Sequence, residues 1–167
     1  MRCKLALAVT TLVLVALVGC QKEETEAEIQ ARKAEANADT VRMAEAAYDA
    51  AVFDTITWES EEARLERGGV VYRSSCEKCH GQGGGGNGEV ALEFQIPVPS
   101  FVAPEWPHAG DVEAIRRGTF VGHTGDSFEA YTGQMPNWGL VSGMRAKDID
   151  AVAAFIADSF GPEPGEE

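Results

Sequence analysis

The sequence predicts an all-α protein, and three stretches of it carry that prediction. From Gln21 to about Arg67 the chain is dominated by Ala, Glu, Lys and Arg, with no proline and no glycine before Gly68. Those are strong helix formers. Towards the C-terminus, Ile149, Val152, Ala153, Phe155, Ile156 and Phe160 recur at the spacing of one apolar helix face. Between them lies Cys76-Glu77-Lys78-Cys79-His80, whose two thiols share one helical turn, and no strand precedes it.

The first segment is a leader. Met1 to Lys4 carry two positive charges, Arg2 and Lys4, and Leu5 to Val18 is apolar apart from Thr10 and Thr11. A short basic start followed by an apolar run reads as a secretory signal. It falls short of the about 20 apolar residues a comfortable membrane span needs. Its end, Leu17-Val18-Gly19-Cys20, resembles the lipobox of bacterial lipoprotein signals. That resemblance implies that residues 1–19 are removed with Cys3, and that Cys20 carries diacylglycerol as the mature N-terminus. The competing reading is an uncleaved signal anchor. Either way the remainder lies on the extracytoplasmic (periplasmic) side of a bacterial membrane, and a multiply acylated terminus suffices for stable anchoring.

Residues 20–60 read as a charged, Ala/Glu-rich helical spacer. Glu23, Glu24, Glu26 and Glu28 suit a helix N-terminus through the dipole, and helix formers continue to about Ala51. Val41, Ala44, Tyr48 and Ala51 or Val52 share a thin, Ala-rich face with little apolar area to bury. The expectation is a solvated rod lifting the next domain off the lipid; the sharper alternative is a docking helix for a larger membrane complex. The run from Val52 to Trp58, rich in β-branched and aromatic residues, marks the turn into that domain.

Glu61 to Ser75 reads as a helix, with Leu65, Gly68, Gly69 and Tyr72 towards one side, leading into the cysteine pair. Two cysteines three apart with a histidine directly after form the attachment signature of c-type haem. Each thiol adds across a porphyrin vinyl group, and His80 is then available as the proximal iron ligand. A thioredoxin-like pair belongs in a strand–helix context without the adjoining histidine. A structural zinc site needs a fourth ligand at close spacing, which this chain lacks. With Cys20 lipidated and Cys76 and Cys79 on haem, no cysteine is left for a disulfide framework. The net charge of −13 argues against nucleic acid as a partner. It suits redox protein partners with a basic docking surface, including subunits of a larger complex, steered in a salt-dependent way.

Gly68, Tyr72, Cys76, Cys79, His80 and Gly81 together resemble the opening of a class I (mitochondrial-type) cytochrome c domain. The resemblance covers residues 61–160, and residues 161–167 are left as a disordered acidic tail. It implies a class I fold around one covalent haem c, with a small residue and an aromatic of the first helix crossing the last helix near Phe155. It also implies a proline carbonyl that orients the ligating His80; Pro97 and Pro99 are both candidates. Gly83 to Gly86 and Gly88 lack the Lys-Ser/Thr of a phosphate loop and are expected to let backbone pass close to the porphyrin edge. Asp111 is placed to cap a short helix through Arg117, ended by Gly118. Arg116 and Arg117 are candidates for haem propionate contacts, with plain surface exposure as the alternative. Trp138 is a further propionate candidate or a core residue.

Met135-Pro136-Asn137-Trp138-Gly139 matches the loop that carries the distal ligand in that family, which implies Met135 as sixth ligand. A thioether raises the reduction potential relative to a second histidine, and the proline stiffens the loop. Met144 lies at the start of the last helix and Met43 in the spacer. His108 and His123 flank turns, and His123 is the competitor that can ligate in an alternative state. A methionine-closed haem points to a membrane-anchored, single-electron carrier in a respiratory or photosynthetic chain, not a catalyst. The other class is a haem enzyme or small-ligand sensor with a labile sixth ligand.

Overall fold

The structure, a computed structural model, describes residues 24–123 and 135–161. The leader with Cys20 and the tail from residue 162 lie outside the described residues. Seven α-helices are described: α1 (Glu26–Ala47), α2 (Ala50–Asp54), α3 (Glu61–Val71), α4 (Glu77–His80), α5 (Glu89–Glu93), α6 (Val112–Val121) and α7 (Ala146–Phe160). Among the described residues there is no strand, and a single antiparallel bridge joins His123 to Met135. The chain is all-α, as its composition predicts.

The frame is the crossing of α3 on α7. A Cβ on Gly68 would overlap the Ala151 carbonyl oxygen and the Phe155 Cβ, so the two backbones meet where the side chain is missing. Tyr72, one turn on, is 1 % exposed and packs its ring 5.5 Å from Phe155 and 5.3 Å from Phe160. Aromatic pairs at that separation add about 0.5–1.5 kcal/mol beyond the area they bury. Ile149, Val152, Ala153 and Ile156 form the buried face of α7, with Val71, Cys76, Phe101, Trp106 and Ile115 around Val152, Ala153 and Ile156.

The start of α7 is buried on its acidic side as well. Asp150 accepts bonds of 2.9 Å from Trp58 Nε1, Arg64 Nε and Nη2, and Arg116 Nη2. Asp148 accepts from Arg67 Nε and Arg145 Nε at 2.8 Å. Burial alone would raise the Asp148 carboxyl, and the two arginines outweigh it, leaving its pKa lowered. Four arginines, two from α3, one from α6 and Arg145 at the head of α7 itself, thus converge on two carboxylates of one helix.

The helix boundaries follow local chemistry. Thr25 and Glu28 form a reciprocal capping box at the head of α1. α1 ends at Ala47, short of the expected Ala51, because Tyr48 turns extended and Asp49 caps a new short helix through the Ala51 N–H. Asp111 caps α6 through the Ala114 N–H, as expected. The helix runs past Gly118, however, and stops at Gly122 (φ +74°), a left-handed position suited to glycine. Gly118 is no terminator; its bare side faces the His123 ring, which a Cβ would crowd at 3.2 Å.

The spacer divides. Residues 26–29 and 31–36 of the first helix are largely exposed. From Asn37 onward the same helix lies against the rest of the protein, with Ala44 wholly buried. Tyr48 donates to Glu113 Oε1 at 2.6 Å and stands 5.4 Å from the Phe120 ring. No described helix is long and apolar enough to cross a membrane.

Candidate haem site

α3 does not run unbroken into the cysteine pair. Tyr72–Cys76 form a π-helical turn, in which Glu77 N–H reaches the Tyr72 carbonyl five residues back. Such widened turns are frequent at functional sites. Here it leads directly into α4, which carries Cys79 and His80. The loop after α4 is tied back by Gly86 N–H to the His80 carbonyl (2.8 Å), Gly88 N–H to the Cys79 carbonyl (3.1 Å) and Tyr72 Oη to the Gly81 carbonyl (2.6 Å).

Cys76, Cys79 and His80 open on a cavity of about 360 Å³. Its other walls come from the segment Ile96–Pro99, from Phe101 and Trp106, from Ile115 and Thr119 of α6, and from His123, Met135, Pro136 and Trp138. His123 and Met135 exchange two backbone hydrogen bonds of 3.0 Å each. Directly opposed residues of such a pair send their side chains to one face, and both line the cavity.

The donor set fits a covalently bound haem. The two cysteines are unbridged. Burial pushes the Cys76 thiol up to about 12, with Cys79 adding to the shift, so it is a buried neutral thiol and no ready nucleophile for redox exchange. The His80 imidazole is held down to about 4 chiefly by burial, the Pro99 carbonyl offsetting part of the shift. Neutral at pH 7, it keeps a lone pair for a metal. Its Nδ1 is a buried polar atom without a hydrogen bond of standard geometry. The ring stacks on Phe101 at 4.3 Å and 16°.

The other residues singled out in the sequence divide between cavity and elsewhere. Pro97, Pro99 and Trp138 line it, and Pro99 is the proline whose carbonyl acts on His80. Arg116 does not: its guanidinium binds Asp150 and Glu113 (2.7 Å) and lies over the Phe53 ring at 4.9 Å. Arg117 pairs with Glu45 of α1. Both face away from the cavity because α6 turns its arginines towards α1, α2 and α7. His108 is on the cavity wall, Met144 packs on the core, and Met43 is 62 % exposed. None of Gly83 to Gly86 or Gly88 is among the residues lining the cavity. Gly84 packs on Phe160 and Gly86 on the Val98 carbonyl, so the close contacts are with protein.

Phe101 and Trp106, their rings 4.8 Å apart, were not legible as wall residues. Their one sequence signal is two aromatics in a Pro-rich stretch after the histidine, which does not say which way they face.

Comparison with known proteins bears on the whole cysteine-to-α7 region. Residues 63–156 match the model of the family described as cytochrome C oxidase, cbb3-type, subunit III. The chain belongs to that family. It is a c-type cytochrome with covalently bound haem c, and its class I fold is the one the residues around Cys76 resemble. Electron transfer is the chemistry this implies. It is also 28% identical over 98 residues to the Cbb3-type cytochrome c oxidase subunit CcoP of Cereibacter sphaeroides, an alignment covering 58% of this chain. The chain spans about a third of that relative's length, 31%. No solved structure matches it significantly.

Proposed function

We propose that this cytochrome is a lipid-anchored, extracytoplasmic carrier of single electrons, its one haem held by His80 and Met135. The observation that carries the reading is that His80 and Met135 line the same apolar cavity as the two attachment cysteines. The haem iron supplies one-electron redox chemistry; the protein sets its potential and excludes competing ligands. His80 gives one imidazole nitrogen to the metal, and the Pro99 carbonyl, rather than that of Pro97, orients the ring. Met135 supplies a soft sulfur. The apolar walls keep water out, and Trp138 is the remaining propionate candidate, since the arginines are engaged elsewhere. Cys20 carries the lipid. The partners are redox proteins with basic surfaces, including subunits of an oxidase-type complex; the first test is which complex co-purifies from solubilised membranes.

Met135→Ala tests the carrier reading against a ligand-binding one. The potential falls by on the order of 0.1 V, within the roughly 0.8 V that axial ligands span. The charge-transfer absorption of a sulfur–ferric bond disappears, and the ferrous protein gains carbon monoxide binding. Met144→Ala leaves spectrum and potential unchanged. A wild-type protein without that band and with ready carbon monoxide binding would instead mark a sensor or enzyme, with His123 beside Met135 as the exchanging group.

Cys20→Ala addresses the anchor. The expected result is haem protein in the soluble extracytoplasmic fraction, or an unprocessed precursor that keeps its leader, because the acyl chains on Cys20 are the proposed anchor. A variant as acylated and membrane-bound as the wild type refutes the lipidation site.

A further inference from the structure

A thioether–iron bond is weak enough that the loop carrying the sulfur has to be held from outside. On the inner side, the segment Met135–Gly139 hangs from the end of α6. Trp138 N–H bonds to the Thr119 carbonyl and Gly139 N–H to the Phe120 carbonyl, both at 3.2 Å. The outer side is covered by the helix that composition marks as a spacer.

Two separate contacts make that cover. Asn137, two residues after Met135, is 5 % exposed; its Nδ2 donates to the Thr40 carbonyl inside α1 at 3.3 Å, and its Oδ1 accepts from Val141 N–H at 2.6 Å. The second contact is a stack of rings. Phe120 lies so close over Gly139 that a Cβ there would collide with it. Its outer side meets Tyr48 at 5.4 Å and Phe53 at 6.5 Å. The wholly buried Ala44 lies on α1 between Thr40 and Tyr48, and its small side chain sets how near α1 can come.

We infer that α1 is a strap on the ligand loop: Thr40, Ala44 and Tyr48 act as positioning residues that keep Met135 directed into the cavity. This rests on Met135 being the sixth ligand. The physical reason is that a buried amide such as Asn137 Nδ2 loses its partner if α1 lifts, and an orphaned buried donor is disfavoured. Removal of the Tyr48 ring likewise frees Phe120 to move off Gly139. The segment joining the lipid anchor to the domain is therefore mechanically continuous with the ligand loop.

The test uses the full-length holoprotein in detergent, with Ala44→Glu, Asn137→Ala, Tyr48→Ala and, as conservative partner, Tyr48→Phe. Hydrogen exchange at the Met135 N–H reads the strap without reference to iron. The first three variants should exchange there about tenfold faster, the scale of one lost buried hydrogen bond. They should also lose part of the sulfur–ferric band and bind carbon monoxide about tenfold more readily on the same scale. Tyr48→Phe, which keeps the ring, and Glu35→Gln, on the exposed half of α1, should match the wild type. Unchanged Met135 exchange in all three disruptive variants overturns the strap. Faster exchange with an intact band, together with a Met135→Ala protein that keeps the band, would instead overturn Met135 as ligand and leave the strap standing.

Discussion

Replacing both Cys76 and Cys79 with alanine is expected to leave a chain with no haem after denaturing electrophoresis. On the proposed attachment the two thioethers would be its covalent links, and each single variant should then retain stain through the other. The effect should reach well beyond the cofactor. Cys76 belongs to the main core, packed with Tyr72, Val152 and Ile156. A cavity of about 360 Å³ left unfilled corresponds to roughly 9 kcal/mol at ~24 cal/mol per Å³, comparable to a whole domain's stability. The walls cannot sustain that, so the apo-chain should lose most of its helix, as metal-dependent domains do without their metal. Circular dichroism of the double variant is the measurement. Persistent haem stain would disprove the attachment site; a fully helical apo-protein would disprove the role of haem as core.

Asp150→Ala should be the most damaging substitution away from the cavity. It leaves the Arg64 and Arg116 guanidiniums, 17% and 13% exposed, without their shared carboxylate, and strips Trp58 Nε1 of its acceptor. Breaking a buried charge pair from one side typically costs about 3–5 kcal/mol, a large part of the ~5–15 kcal/mol available to a domain. In urea, the holoprotein midpoint should fall with little change in slope. Asp150→Asn, which keeps an acceptor but no charge, should lie between. A loss below about 1 kcal/mol for the alanine variant, the scale of an exposed pair, would show that the network contributes little.

The residues around Asp150 also show where reading the chain alone stops. Asp148 and Asp150 fall off the apolar stripe of α7 and look like a solvated face. Apart from the local pair of Asp148 with Arg145, it is the arrival of Arg64, Arg67 and Arg116 from α3 and α6 that pairs them. The same network draws Arg116 away from the cavity, while Glu45 of α1 takes Arg117. A guanidinium's partner depends on which helix lies opposite, and helical spacing carries no such information.

What local sequence does specify is local chemistry. The Cys-x-x-Cys-His run carries the signature of haem attachment, and the glycine and tyrosine of α3 and the apolar spacing of α7 each mark a helix face, without help from distant residues. The caps at Thr25 and Asp111 are of the same kind. The wall residues Phe101 and Trp106 and the π-helical turn before Cys76 depend instead on how the chain closes round a ring. So does the docking of α1 on the Met135 loop. Ala44 and Tyr48 form a face too thin to predict burial on, and a glycine at 139 that lets Phe120 settle against the loop completes the contact. Composition marks such a helix as a free rod; long-range packing makes it part of the domain.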